Sequence, residues 1–359
     1  PLYSSAASDV YKRQAQVAPL YESVPPKLYG GTERVVSYLT EELVKMGYEV
    51  ILFASGDSQT QAKLIPISPN ALRLDKNCRD SLVWHLYMLE EVFKRANLFD
   101  IIHFHIEYLH LPLALRYNVP FVTTLHGRLD LPEYAPFFRK FKTAPFVSIS
   151  NSQRKPLPWL NWQATVYHGL PKDLYRFYPE KGKYLAFLGR ISPEKRPDRA
   201  IAIAEKFGMK LKIAAKIDKA DEVYFKEVIK PLLKSSWVEF IGEIGEREKN
   251  EFLGNAYALL FPIDWPEPFG LVMIESLACG TPVVAWRCGS VPEIIEDGKT
   301  GFIVKSIEEA VFVLDKVSTL NRENCRKSFE KRFTARRMAE DYIRIYQNII
   351  SKKILLKAV

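Results

Sequence analysis

The sequence predicts an α/β protein made of two successive βα domains, each a parallel sheet with helices on both faces. Three observations predict it. Short apolar runs rich in Val, Ile, Leu and Phe recur along the 359 residues, separated by segments with the spacing of one helical face. That alternation breaks near Pro171 and then restarts, which marks a second domain. The length is long for a single core and comfortable for two.

The elements follow in order. Residues 15–20 read as a first strand, and a loop with Pro25, Pro26, Gly30 and Gly31 comes next. A helix with an apolar stripe at Val35, Val36, Leu39, Leu43 and Met46 is then ended by Gly47. Strands are expected at 50–54, 100–105, 120–125 and 146–150, with a helix over 81–96. After Pro171 come a strand at 184–188, a helix at 197–207, a strand at 210–214 and a helix at 221–233. Strands at 237–241, 258–261 and 282–285 follow, and a last helix near 334–350 carries Met338, Tyr342, Ile345 and Ile349. The first domain is thus expected over 15–170 and the second over 171–333. Residues 1–14 are Ser/Ala-rich with no initiating Met and no signal-peptide core, and they read as a non-native or disordered leader.

Composition narrows the class. A hydrophobic fraction of 47% and a charged fraction of 26% are those of an ordinary globular protein. No apolar run approaches the roughly 20 residues that span a bilayer. Cys78, Cys279, Cys288 and Cys325 show no CxxC pairing and read as reduced thiols. The net charge is +9, with Arg322, Arg326, Lys327, Lys331, Arg332, Arg336, Arg337, Lys352, Lys353 and Lys357 gathered late. That cluster reads either as a solvated helix face or as attraction to anionic lipid headgroups or an anionic acceptor. No nucleic-acid motif accompanies it, which argues against nucleic acid.

Two charged motifs carry the chemistry. In the first, Glu267-Pro268-Phe269-Gly270-Leu271-Val272 leads into an apolar run containing Glu275. A strand should end near Phe261, a loop should hold Glu267, and a helix should start near Gly270. Gly270 lets a ligand approach the backbone, and the first turn of the helix offers unpaired N–H groups that suit a phosphate. Glu275 can accept hydrogen bonds from a sugar hydroxyl. In the second motif, Arg190 and Lys195 lie on the loop that follows the first strand of the second domain. Arg binds two oxygens at once and Lys acts as a point charge, so the pair can clamp a diphosphate. Taken singly, each of these residues reads first as a solvated surface charge, the usual case.

Lesser signals lie in the first domain. Gly30 and Gly31 precede a helix N-terminus without the spacing of a dinucleotide fingerprint, which disfavours an NAD enzyme. His103 and His105 alternate on one strand, with Glu107, His110 and His126 nearby in sequence; a metal site there is weighed and not expected. His126 and Gly127 close a strand end, and His126 reads as a ligand-facing histidine or a satisfied core one. Glu293 is expected to tether a loop near the site. Trp159 and Trp162 could stack on a sugar, but burial by packing is the expectation for both.

These motifs resemble those of the retaining glycosyltransferases of family 4 (glycosyl transferases group 1). Glu267 and Glu275 match the family's Glu-x7-Glu, and Gly189-Arg190 through Lys195 matches its Gly-Arg-x4-Lys, with Arg196 where the family often has Gly. Gly30-Gly31 and His126 match a Gly-Gly loop and a first-domain histidine, while Tyr167-His168-Gly169-Leu170 departs from the family's Asn-Gly-Val-Asp hinge. The resemblance spans 15–350.

The resemblance implies a GT-B fold, with two Rossmann-like domains facing across a cleft and the last helix crossing back to the first. It implies transfer of a hexose from a UDP-, GDP- or ADP-linked sugar to an unknown hydroxyl acceptor, with retention of anomeric configuration and with no essential metal or cofactor. Arg190 and Lys195 would neutralise the diphosphate, Glu267 and His126 would hold the sugar, and Glu275 would hold the ribose. The backbone of Phe269, Gly270, Leu271 and Val272, the Gly30–Gly31 loop and a base-contacting segment at Ile244 would complete donor binding. A cytoplasmic bacterial enzyme of cell-envelope polysaccharide, glycolipid or glycoconjugate synthesis is implied, with peripheral contact at an anionic inner membrane face. The rival readings are a sugar-nucleotide epimerase and a non-catalytic nucleotide-sugar binder. The phosphate-clamping cations argue against a glycoside hydrolase.

Overall fold

Strand–helix alternation resolves into two parallel sheets, one in each of two units. The computed structural model describes residues 13–358 apart from 29, 74 and 118. The first unit takes the chain to Ile149 and adds Arg154–Gly169 and Ala335–Val359; the second takes Ser150–Gln153 and Leu170–Thr334. Residues 1–12 of the expected leader lie outside the described residues.

In the first unit seven strands, β1 (Arg13–Val17), β2 (Glu49–Ala54), β3 (Lys63–Pro66), β4 (Ile101–Phe104), β5 (Phe121–Thr124), β6 (Phe146–Ser148) and β7 (Trp162–Thr165), lie in the order β3-β2-β1-β4-β5-β6-β7. The ladders are parallel. β1 corrects the leader reading at its end. Gln14 pairs in register with Val50 and Ile101, and the Arg13 N–H donates to Asp100 Oδ2 at 3.0 Å. Two polar residues open a strand buried on both faces, so no apolar pattern announced it. The edge strands β3 and β7 went unpredicted for a related reason: most of their residues are only half-buried, so no alternation develops.

Helix Gly31–Lys45 buries Val35, Val36, Leu39 and Leu43 of the stripe read from sequence, while Met46 caps its end and is only half-buried. Gly47, at φ 88°, stops the chain just beyond it. Helix Ser81–Lys94 is capped by Asp80, whose carboxylate accepts from the Leu82 N–H at 3.0 Å. It buries Met88, Leu89, Val92 and Phe93 and leaves Leu82, Val83, Leu86 and Tyr87 exposed, with Val83, Trp84 and Tyr87 lining a groove against 66–69. The final helix, Ala335–Ala358, packs Met338, Tyr342, Ile345 and Tyr346 inward.

In the second unit β8 (Tyr184–Arg190), β9 (Leu211–Lys216), β10 (Val238–Gly242), β11 (Ala256–Phe261), β12 (Val283–Trp286) and β13 (Gly301–Val304) form a six-stranded sheet ordered β10-β9-β8-β11-β12-β13. It too is parallel. Helix Pro197–Phe207 ends at Gly208 in the left-handed region, as its sequence predicts. The helix expected over 221–233 is present and runs without a break from Glu222 to Leu232, but it is not regular. A 3₁₀ turn at Lys219–Asp221 and a short α segment precede a π-helical stretch at Phe225–Ile229, which runs into Lys230–Leu232. Pro231 has no N–H to give and crowds the carbonyl one turn back, which accounts for the widened turn before it.

Four arginines of the late basic cluster depart from the solvated-face reading, while Lys327, Lys331 and Arg336 are exposed as it expects. Arg322 is buried, and its guanidinium donates to the carbonyls of Tyr178, Gly254 and Ala256 and to Thr281 Oγ1. Arg326 holds the carbonyls of Lys172, Tyr175 and Ala278. Arg332 holds those of Glu293 and Ile294, and Arg337 those of Tyr167 and His168. These four arginines work as internal carbonyl caps. Lys327 and Arg336 make exposed pairs one turn away with Glu323 and Glu340. Among the described residues no helix is long and apolar enough to cross a membrane. All four cysteines are free thiols.

Candidate active site

The strand order of the second sheet reverses between β8 and β11. Their neighbouring carboxyl ends therefore open a crevice, the place where open α/β sheets bind ligands. Arg190 ends β8, and Glu267 lies on the loop after β11. The Asp264 N–H donates to the Glu194 carbonyl at 2.8 Å and stitches the two loops together. The two motifs read from sequence thus meet in one place.

Lys195 makes an ion pair with Glu267 Oε2, and Trp265 Nε1 donates to the same oxygen at 2.9 Å. The ammonium also lies 5.0 Å from the Trp265 ring centre and 5.6 Å from that of Phe261. Glu267 is buried, and its backbone is fixed by the Ser290 N–H, which donates to its carbonyl at 3.0 Å. Arg190 faces three carboxylates. It pairs with Glu194, and Asp221 and Asp218 lie at 3.4 and 3.7 Å. Lys216 Nζ is 2.6 Å from Asp218. An anion that engages Arg190 therefore competes with carboxylates that spacing along the chain does not reveal.

Arg196, where a glycine was the usual residue, takes the left-handed conformation that glycine favours, with φ 54°. Its hydrogen bonds to Asp198 and Asp264 lock it there, and the bond to Asp198 above all pushes its pKa up. The loop geometry survives the substitution because two carboxylates hold it.

Helix Leu271–Cys279 starts where predicted. Its N-cap, Gly270, has φ 80°, and no side chain caps that end. That φ favours glycine, and a Cβ at Gly270 would lie 2.8 Å from Met273 Cε and 3.2 Å from the Phe261 ring, so a larger residue would also have to displace them. The first N–H groups, at Leu271 and Val272, have no acceptor within the helix and favour an anion. Phe269 is different: its ring is buried and packs edge-on to Phe333 at 6.3 Å, so only its backbone can serve a ligand. Glu275 is 2% exposed and receives a hydrogen bond from Lys249 Nζ at 2.9 Å. Ile244 is half-buried between edge strand β10 and helix Glu246–Gly254, away from the β8/β11 reversal.

The remaining residues belong to the first unit. Gly30 precedes helix Gly31–Lys45, whose start also has no side-chain cap, and a Cβ there would lie 2.8 Å from Pro26 Cβ and 3.0 Å from Glu22 Cγ. His126 follows β5, with its backbone N–H and that of Gly127 donating to Glu107 Oε1 at 3.0 Å. Burial pushes His126 down to about 3 and Glu107 up to about 7, so both resist charging.

A chain of contacts sets the tautomer of His126. Gln16 Oε1 lies 2.9 Å from His105 Nε2, so that nitrogen carries the hydrogen. In a neutral ring His105 Nδ1 is then an acceptor, and His126 Nε2 donates to it at 2.9 Å. His126 Nδ1 keeps its lone pair and has no hydrogen-bond partner among the described residues. His103 is occupied otherwise, by Tyr346 Oη and Thr124 Oγ1, both at 2.7 Å. Among the described residues no three metal-ligating side chains form a cluster that could hold a metal.

Three further expectations meet the structure. Glu293 takes the N–H groups of Asn151 and Ser152, both at 2.7 Å, and so ties down that segment. Trp162 is half-buried on β7 and donates to the Leu157 carbonyl at 3.0 Å. Trp159, expected to be buried, is 39% exposed with the Arg139 guanidinium over its ring. Lys249, Asp218 and Asp221 were not foreseen; a cation and carboxylates on ordinary polar helix or loop positions carry no signal until the fold pairs them.

Comparison with known proteins agrees with this arrangement. The family described as Glycosyl transferases group 1 matches residues 176–334, and that described as Glycosyltransferase Family 4 matches residues 29–157. The chain is 24% identical to the N-acetyl-alpha-D-glucosaminyl L-malate synthase of Bacillus anthracis, over 89% of this chain and 94% of that protein. It is 23% identical to an uncharacterised glycosyltransferase of Methanocaldococcus jannaschii, over 90% and 97% of the two chains. Among solved structures, AviGT4, a glycosyltransferase involved in avilamycin A biosynthesis, matches with a TM-score of 0.72 and 24% identity over 95% of this chain and 98% of that one. Anabaena HepE in complex with UDP and glucose matches with a TM-score of 0.74 and 16% identity over 93% and 99%.

Proposed function

Since this chain belongs to the glycosyl transferases group 1, of family 4 and GT-B fold, we propose that it moves a hexose from a nucleotide-sugar to an acceptor hydroxyl with retention at the anomeric carbon. The observation that carries this reading is the meeting of Lys195 and Glu267 at the β8/β11 reversal, beside Arg190 and the uncapped N-terminus at Gly270. A sugar attached to a diphosphate has the complementary chemistry: anionic oxygens for the cations and the helix end, hydroxyls for the carboxylate.

In this proposal Arg190, Lys195 and the N–H groups of Leu271 and Val272 take the diphosphate and offset the charge that develops as the anomeric C–O bond breaks. Glu267, held by Lys195 and Trp265, accepts hydrogen bonds from sugar hydroxyls. His126, neutral and with its Nδ1 lone pair available, accepts another. Glu275 takes the ribose, and the backbone about Ile244 takes the base. The acceptor oxygen bonds to the anomeric carbon on the face the diphosphate leaves, through an oxocarbenium-like state. Its proton passes to the departing phosphate oxygen. Cell-envelope polysaccharide or glycolipid is the proposed setting for the acceptor.

Thermal shift with UDP, GDP, ADP and NAD on wild type and Glu275→Ala tests the donor class. A ligand at a hundred times its dissociation constant adds about 2.7 kcal/mol, which is readily seen. One nucleoside diphosphate should stabilise wild type and fail with the variant. Stabilisation by NAD alone would overturn the reading. With the matching nucleotide-sugar, acceptor-dependent release of nucleoside diphosphate separates a transferase from an epimerase, which releases none.

A further inference from the structure

We infer that Lys249 is a positioning residue for the nucleotide: it fixes the Glu275 carboxylate so that the carboxylate takes both hydroxyls of the donor's ribose. This rests on the reading of Glu275 given above. Lys249 lies on helix Glu246–Gly254, which packs against helix Leu271–Cys279. Its Nζ is 2.9 Å from Glu275 Oε1 and 3.8 Å from Glu246 Oε2. Glu246 in turn accepts a hydrogen bond from the hydroxyl of Tyr175, a residue that is itself 1% exposed. The relay therefore runs Tyr175, Glu246, Lys249, Glu275, anchored in the core at one end.

The Glu275 side chain is 3% exposed and that of Lys249 is 15% exposed. A carboxylate so far removed from water needs a cation or several donors as compensation, and Lys249 supplies the cation. A carboxylate offers about four lone-pair directions, and Lys249 engages one oxygen. With that oxygen pinned, the plane of the group is set, and two vicinal hydroxyls can donate to it in a fixed register. Loss of the cation frees the carboxylate to rotate, so the charge that meets the ribose stays while its direction is lost.

The experiment uses the full chain and whichever of UDP, GDP and ADP stabilises wild type, together with its 2′,3′-dideoxy analogue. Dissociation constants are read by calorimetry for wild type, Lys249→Met and Lys249→Gln. Wild type should bind the dideoxy analogue at least about 10-fold more weakly, the worth of hydrogen bonds to a charged group. Lys249→Met should bind both nucleotides alike, at the weaker level, and in turnover assays should raise KM for the donor while leaving kcat within about twofold, the mark of lost uniform binding. A folded Lys249→Met that keeps the wild-type ratio between the two nucleotides overturns the inference and leaves the donor site standing. Should Lys249→Met not fold, Lys249→Gln decides, and an unchanged ratio in it overturns the inference equally. Wild type that binds none of the three nucleotides overturns the donor reading itself, and the inference with it.

Discussion

All six histidines of the chain lie in the first unit, at positions 85, 103, 105, 110, 126 and 168, whereas the second unit has none. The first unit buries polarity as neutral rings beside a few charges such as Glu22 and Arg34: His103 between a tyrosine and a threonine, His105 between Gln16 and His126, and His110 stacked on Phe104 with a 2.7 Å bond to Thr123. The second buries it as charge: Lys195 with Glu267, Lys249 with Glu275, and Arg322 on a ring of carbonyls. The difference follows the chemistry proposed for each. A leaving diphosphate develops charge, which fixed cations answer; a sugar hydroxyl is neutral, and a neutral lone pair suffices for it. Buried imidazoles that stay uncharged and buried cations that stay charged are two answers to the same desolvation cost.

The strongest way to break this comparison is Arg190→Ala. Removing one such electrostatic donor costs about 3–4 kcal/mol of transition-state stabilisation, so kcat/KM should fall by a few hundredfold with melting little changed. A folded variant of near-normal rate would take the charge chemistry out of the second unit. Arg322→Ala probes the structural use of charge there. It strips the partner from three carbonyls and should lower stability by about 3 kcal/mol in denaturant titration. A loss under about 0.5 kcal/mol would return Arg322 to the class of solvated surface charges.

Acid should separate the units next. Burial lowers His110 to about 3, against 6.5 in the unfolded chain. Between those values the unfolded chain binds a proton that the native one refuses. The first unit should therefore keep its full stability above about 6.5 and lose up to about 1.4 kcal/mol per pH unit below it for each such histidine. Glu33 and Glu107, raised by burial to about 7, act the other way: the native state keeps protons that the unfolded state releases, so their contribution declines from pH 4.5 to 7. Melting followed between pH 4 and 7 should show a net loss on acidification, and a net gain would mean that the carboxyls outweigh the histidines. The smallest effect belongs to the surface. Lys327→Ala breaks an exposed pair with Glu323 one turn away and should change stability by less than about 0.5 kcal/mol, within error of wild type in the same titration.

The sequence by itself determined both parallel sheets, because their central strands are buried on both faces and need continuous apolar runs, as at 50–54 and 258–261. It also determined the Arg190–Lys195 and Glu267–Glu275 motifs and the helix start at Gly270, where the chain takes the left-handed φ that glycine adopts without strain. What only the tertiary structure decided lies across the chain. Half-exposed edge strands β3 and β7 need a neighbour more than a pattern, and Pro231 widens a turn that periodicity drew as regular helix. Above all, burial and pairing assign the charges. Arg322 looks like any surface arginine until Tyr178, Gly254 and Ala256 turn their carbonyls to it, and Lys249 becomes a partner of Glu275 only when two helices meet. Periodicity records which face of an element is apolar; it says nothing about which distant residue supplies the opposite charge.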